Sequence, residues 1–300
     1  MGRKRLKPDG VAYHHVMVRC AQGCYWLEEP WAKDIFVDLI DFYQKVYYVN
    51  ILGYVVMSNH VHICLEMNRP EFDLEDIRLR YELAQQRIVN KRCFHEGRAL
   101  NLYKRYADLS WFMWEVNRRM SLAYNKAMGT KGHLWSGRFK NVVVESGQNL
   151  LNVLAYIELN PVRAGMIDDP THFAYCSSGR IKQELDEGLE PDAPKIKALE
   201  SVPQKQRAAS YVDWIRFLAF AEKDPEIKAS GMPLNFTSLG WQVDMEKVYE
   251  ALDSRSPSRW SHQIYGSKTF EKQILIDAGW LVELAPKKEP PDIQNISSAA

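Results

Sequence analysis

Several things are scarce in this chain, and each scarcity closes off a class of protein. No apolar run reaches the length of about eighteen residues that a membrane helix needs, so no membrane partner is expected. The basic start "MGRKRLKPDG" is not followed by an apolar stretch, so a secretory signal is not expected either. Cysteines number five, an odd and scattered set (Cys20, Cys24, Cys64, Cys93, Cys176), which fits reduced thiols in the cytoplasm rather than a disulfide framework. Cys20 and Cys24 lack a second pair with which to build a zinc site. No internal repeat is found. Net charge is also small, +1, and taken alone says nothing about a polyanionic partner.

What is present is the composition of a globular protein, with 46% hydrophobic and 26% charged residues in 300. That length suits one large domain or two ordinary ones. The charge is unevenly spread. From Arg98 to Arg163 there are ten Lys and Arg against four Asp and Glu, a local excess of +6, so the remainder sums to −5. A basic middle with acidic flanks suits a bound polyanion, although a solvated helix face is an equally ordinary reading.

Hydrophobic periodicity orders the chain. Residues 11–19 and 53–67 read as strands, and 29–48 as a helix with Pro30 in its first turn. Residues 70–106 are charged and mixed, with a helical cast. Residues 108–127 read as a helix with Trp111, Trp114, Val116 and Leu122 on its apolar side and Arg118, Arg119 and Lys126 outward. A turn at 129–133 leads to a strand at 140–145 and a helix at 147–160 that stops at Pro161. The order strand, helix, strand, helix, strand, helix is an α+β pattern, for which a small antiparallel sheet backed by helices is the natural solution. Beyond about residue 178 the chain expected is mainly helical, with helices at 211–222, 244–253 and 269–279 and a disordered tail from about 286.

Two places carry candidate chemistry. In "YVVMSNHVHICLE" (54–66), His60 and His62 lie two apart on a strand, so they share a face beside Ser58 and Cys64, while Val61, Ile63 and Leu65 point to a core. Two neutral imidazoles on one face can share a divalent cation, but such a pair in isolation is more often ordinary. A histidine-triad hydrolase is excluded, because Cys64 stands where a third alternate histidine is needed. In "NLLNVLAYIELNPVRAGMI", Asn149, Asn152, Tyr156 and Asn160 fall three, four and four apart and form a polar stripe on a helix. The stripe carries a phenol that can attack a phosphodiester if a cation polarises the phosphate, and an amide oxygen from Asn160 can be the third ligand. A half-exposed tyrosine and a helix-ending asparagine are the plain alternative.

Taken in order, "YVVMSNHVHICLE", "GHLWSGRFKNVVVE" and "LLNVLAYIELNPVRAGMI" resemble the single-tyrosine HUH transposases of insertion sequences, with the nearest likeness to the REP-associated tyrosine transposases of bacteria. The resemblance spans roughly residues 10–178. It implies a ferredoxin-like antiparallel sheet with flanking helices, Tyr156 as nucleophile, and His60, His62 and Asn160 around Mg2+ or Mn2+. It also implies cleavage and rejoining of single-stranded, hairpin-flanked DNA through a 5′-phosphotyrosine and a free 3′-hydroxyl. On that reading residues 1–178 form the catalytic domain, with a helical insertion at about 70–106, and 179–300 form a helical extension without a matching motif. The protein would be a bacterial cytoplasmic one, nucleoid-associated when acting, working as a homodimer or a monomer.

The basic middle supplies candidate DNA contacts: Arg118, Arg119, Lys126, Lys131, Arg138, Lys140 and Arg163 for phosphates, and Trp135 as a stacking platform or a core anchor. Phe139 is expected in the core. Two rival readings remain at this level. One is a domesticated hairpin-binding protein that no longer cuts; the other is an unrelated metal hydrolase, which leaves the tyrosine motif unexplained.

Overall fold

Alternating β-branched residues build the sheet. β1 (Ala12–Arg19), β3 (His60–Met67) and β4 (Lys140–Val144) each place every second side chain on the same face, and β2 (Val49–Val56) does so on either side of a register shift between Ile51 and Gly53. A computed structural model describes residues 8, 10–223 and 264–277. The helix expected at 244–253 and the tail from 286 lie outside the described residues. The strand order is β2-β3-β1-β4-β5. The first four strands pair antiparallel throughout, in the ferredoxin-like order.

Two details differ from the expectation. The stretch 53–67, read as one strand, lies across a hairpin: β2 ends at Val56 and β3 starts at His60, with Met57 N–H bonded to the His60 carbonyl at 2.9 Å. Ser58 and Asn59 are turn formers hidden between two apolar runs, and Ser58 therefore does not stand on the strand beside His60. The turn is pinned from outside, by Cys20 N–H on the Asn59 carbonyl (2.8 Å) and Leu27 N–H on that of Ser58 (2.9 Å). The second difference is β5 (Ile264–Tyr265), which pairs parallel with β4, so the C-terminal region adds a strand as well as helices.

Helices cover both faces. On one lie α1 (Pro30–Val46), which opens on Pro30, and α4 (Leu109–Met128), which is capped by Asp108 on the Ser110 N–H (2.7 Å) and ends at left-handed Gly129. Phe36, Ile40, Phe112 and Val116 pack there against Val16, Val61, Ile63 and Leu65. Each such buried side chain contributes roughly 1.5–3 kcal/mol. The buried side of α4 is Leu109, Phe112, Met113, Val116 and Met120, not the Trp111, Trp114 and Leu122 expected; these three are exposed, and Arg119 turns in toward Glu115. Two apolar stripes run along this helix, and its periodicity alone does not rank them. The 70–106 stretch forms α2 (Leu74–Gln85), capped by Asp73, and α3 (Ala99–Tyr106). Arg80 pairs with Asp76 of its own helix and ties α2 to the carbonyls of Lys45 and Tyr47 at the end of α1.

The opposite face is covered by α5 (Gln148–Glu158), α7 (Ser177–Asp186) and α8 (Gln204–Lys223), with the short α6 (Asn160–Arg163) between. Leu150, Leu154, Ile157, Ile181, Tyr211 and Trp214 share one core with Val55 and Cys64. The boundary expected at 178 falls just inside α7, and this core draws on residues from both sides of it. Fully buried Glu158 makes the join: its carboxylate accepts from Ser178 N–H (3.1 Å), Ser178 Oγ (2.7 Å) and Tyr211 Oη (2.9 Å). Burial raises its pKa, against the pull of these donors. α9 (Lys268–Asp277) lays Phe270 and Ile274 on Val143. No described helix is long and apolar enough to cross a membrane.

Candidate functional site

The alternation of β3 sends His60, His62 and Cys64 to the face covered by α5. Across the ladder they meet Arg19, Met17 and His15 of β1. His15 Nε2 and His62 Nδ1 are 2.8 Å apart, and the two rings stack with centroids 5.0 Å apart. His60 and His62 stand edge to face at 5.0 Å. Helix α5 packs on the sheet through Leu150, Val153, Leu154 and Ile157, and this seats Tyr156 edge-on to His62 (5.6 Å) and His15 (5.8 Å). The fold thus gathers three imidazoles and one phenol.

The polar stripe of α5 does not lie open as its spacing suggested. Tyr156 is only 8% exposed and belongs to the core of that face. Asn152 is buried too, accepting from Gln148 and donating to Tyr265 Oη at 3.3 Å, while Asn149 donates to Glu145 at 2.9 Å. The reason is tertiary: Tyr265 arrives with β5, more than a hundred residues further along the chain.

The imidazoles are in the form a cation needs. Burial lowers the pKa of His15 and His60 to about 4, with Arg19 adding to the effect on His60. Burial, then His15 and His60, holds His62 well below the usual histidine range. All three are neutral at pH 7. His60 Nδ1 donates to Asn59 Oδ1 at 2.6 Å, and His62 Nδ1 is taken by His15. In each ring the second nitrogen, Nε2, is the one left to a metal, the arrangement in which a hydrogen bond at one ring nitrogen orients the other.

Asn160 opens α6, and its Nδ2 donates to the Tyr156 carbonyl at 2.7 Å, which leaves Oδ1 as the atom to offer a cation. No hydrogen bond joins Asn160 to His60 or His62. Among the described residues no group of three or more His, Cys, Asp and Glu side chains could hold a metal ion. As donors, imidazole nitrogens suit Mn2+ better than Mg2+.

The candidate DNA contacts are dispersed. Arg163 lies 5.9 Å from the Tyr156 ring centroid, beside the cluster. Lys140 is exposed at the start of β4, while Lys126 and Lys131 are exposed at and beyond the end of α4. Arg118 and Arg119 both bind Glu115, at 3.2 and 2.7 Å, and Arg119 also donates to the Arg87 carbonyl. Trp135 is half-buried, donating Nε1–H to the Asn117 carbonyl (3.0 Å) and standing edge-on to Phe36; Phe139 is in the core. Trp135, Arg118 and Arg138 share a groove of about 960 Å3 between α4 and the 132–139 loop.

His15 was not anticipated from the sequence. The signal was the adjacent pair His14–His15 within a strand, which must send one imidazole to each face. Which of the two joins His62 depends on the register between β1 and β3.

No protein-family model matches the chain, and no curated protein matches it. Among solved structures, a REP-associated tyrosine transposase bound to a REP hairpin is similar, with 17% identity and a TM-score of 0.40 over 64% of this chain and 88% of that one.

Proposed function

We propose that this protein is a metal-dependent DNA nickase and strand-transferase of the tyrosine transposase type, acting on single-stranded, hairpin-flanked DNA. The observation that carries the reading is the contact between the Tyr156 ring and His62, on the sheet face to which the HxH spacing sends both imidazoles. In the step proposed, Tyr156 Oη bonds to phosphorus and the bond from phosphorus to the 3′ oxygen breaks. The phenol loses its proton and the 3′ oxygen gains one, so no net proton or electron is consumed. The phosphotyrosine conserves the ester for rejoining to a second 3′-hydroxyl. A cation held by His60, His62 and Asn160 supplies charge stabilisation at the phosphate. His15 fixes the orientation of His62, and Arg163, next to the tyrosine, supplies positive charge for the bound strand.

The test is a denaturing gel of the full chain with labelled hairpin DNA and Mn2+. Wild type forms a covalent adduct; Tyr156→Phe forms none yet still binds DNA, and His60→Ala does not cleave. An adduct that survives Tyr156→Phe would remove the nucleophile from the scheme. The burial of Tyr156 favours a second reading, a hairpin-binding protein that does not cut. DNA binding without adduct in the wild type selects it.

A further inference from the structure

The exposed stripe of α4 has no role in the scheme above. Trp111 is 42% and Trp114 47% exposed, with their rings 5.5 Å apart, and Leu122, further along the same helix, is 57% exposed, while the helix's other apolar stripe is used in the core. Large apolar side chains grouped on a surface mark a place where something binds. Here they form one wall of the groove, and the 132–139 loop, with Trp135 and Arg138, forms the other.

The charge around the groove has one sign. Among the described residues lining it none is acidic, whereas Arg118, Arg138 and His133 are present. Behind the tryptophans, the buried Glu115 carboxylate takes three guanidiniums, Arg105 (3.2 Å), Arg118 (3.2 Å) and Arg119 (2.7 Å). One negative charge against three positive leaves an excess of positive charge. Arg105 lies over Trp111 at 4.7 Å, and Arg118 over Trp114 at 5.1 Å, so two guanidiniums are held at the rings. Flat rings interleaved with fixed cations are what unpaired bases and their phosphates require.

The groove also lies at the right end of the sheet. Its loop is bonded to the end of β1, with Ala21 N–H on the Leu134 carbonyl and Ser136 N–H on that of Arg19, both at 2.9 Å. Arg19 is the β1 partner of His60. Groove and imidazoles therefore share one end of the sheet on opposite faces.

We propose that this groove binds unpaired bases of a single DNA strand, stacked on Trp111 and Trp114 with phosphates at Arg118 and Arg138, and that the strand turns around the sheet end to reach Tyr156. The choice of DNA rests on the proposed function; the stacking surface is independent of Tyr156. A second copy of the chain is the competing occupant.

The experiment is fluorescence anisotropy of the full-length protein with a short labelled single strand and, separately, a blunt hairpin without unpaired ends. Trp114→Ala lowers single-strand affinity about tenfold, leaves blunt-hairpin affinity and the thermal midpoint unchanged, and Trp114→Phe restores most of the loss. Arg138→Gln lowers the slope of log affinity against log salt by about 0.7. Unchanged single-strand affinity in Trp114→Ala overturns the proposal, even if the wild type forms its adduct. Trp114-dependent binding by a chain that forms no adduct upholds the groove and rejects the nickase. A dimer that Trp114→Ala splits in sedimentation, with DNA affinity unchanged, identifies a self-association surface and also overturns it.

Discussion

His14 and His15 are neighbours in the chain that fall on opposite faces of one sheet. Both are buried, and burial lowers both to a pKa of about 4, with Arg69 also lowering His14. Their partners differ. His14 bonds Asn141 Oδ1 at 3.1 Å, across the β1–β4 ladder on the face that holds Val16 and Leu65. His15 bonds the imidazole of His62, whose ring stands edge to face with Tyr156. Burial and pKa do not tell the structural histidine from the candidate functional one; the identity of the bonded partner does.

The same contrast holds for the two buried glutamates, and here the largest effect is expected. Glu158, on the α5 face, is held by neutral donors, and burial raises its pKa. Glu115, at the rim of the other face, is held by three arginines; burial pushes its pKa up, and Arg119 and Arg118 outweigh burial and lower it. Glu158→Ala leaves Ser178 and Tyr211 donors without an acceptor and costs about 3 kcal/mol in urea unfolding. Glu158→Gln costs less, because it keeps an acceptor for these donors. The two wild-type groups act on stability with opposite signs. A raised carboxylate pKa favours folding at low pH, and this contribution is lost as pH rises through the folded value. The lowered pKa of Glu115 contributes above the unfolded value and is lost as pH falls. Equal pH slopes in Glu158→Gln and Glu115→Gln would break the comparison.

A smaller effect separates the histidines directly. If His15 orients His62 for a cation, His15→Phe lowers Mn2+ affinity by about 10–100-fold, read by titration of the Mn2+ resonance. His14→Phe leaves that affinity as it is. Equal losses in both variants would mean that His15 acts only through packing.

How much of this was legible depended on whether a feature is local. The one-face placement of His60 and His62, the core placement of Val61, Ile63 and Leu65, and the α5 helix all follow from periodicity, and the structure has them. The hairpin at Ser58–Asn59 was masked by apolar runs on both sides. The exposed Trp111–Trp114 stripe was assigned to the core because its composition looks like one. Tyr156 was placed on a polar stripe rather than in the core because Tyr265 and the third imidazole come from distant segments. Register and long-range partners decided each of these, and neither is written in local spacing.

The smallest effect concerns His14 alone. Its folded pKa is about 4 and its unfolded value near 6.5. Between these values the unfolded chain binds a proton that the folded chain refuses, so stability falls as pH drops below about 6.5, and the loss is complete below the folded value. For one such group the loss from pH 7 to pH 6 is about 0.7 kcal/mol. His14→Gln keeps a polar partner for Asn141 and does not titrate, so urea midpoints measured across this interval should fall less steeply with acid than in wild type. His15, His60 and His62 remain in that variant and keep part of the slope. A His14→Gln chain whose stability falls as steeply as the wild type between pH 7 and pH 5 would mean that His14 takes up its proton equally in the folded and unfolded chain, so that burial does not hold it neutral.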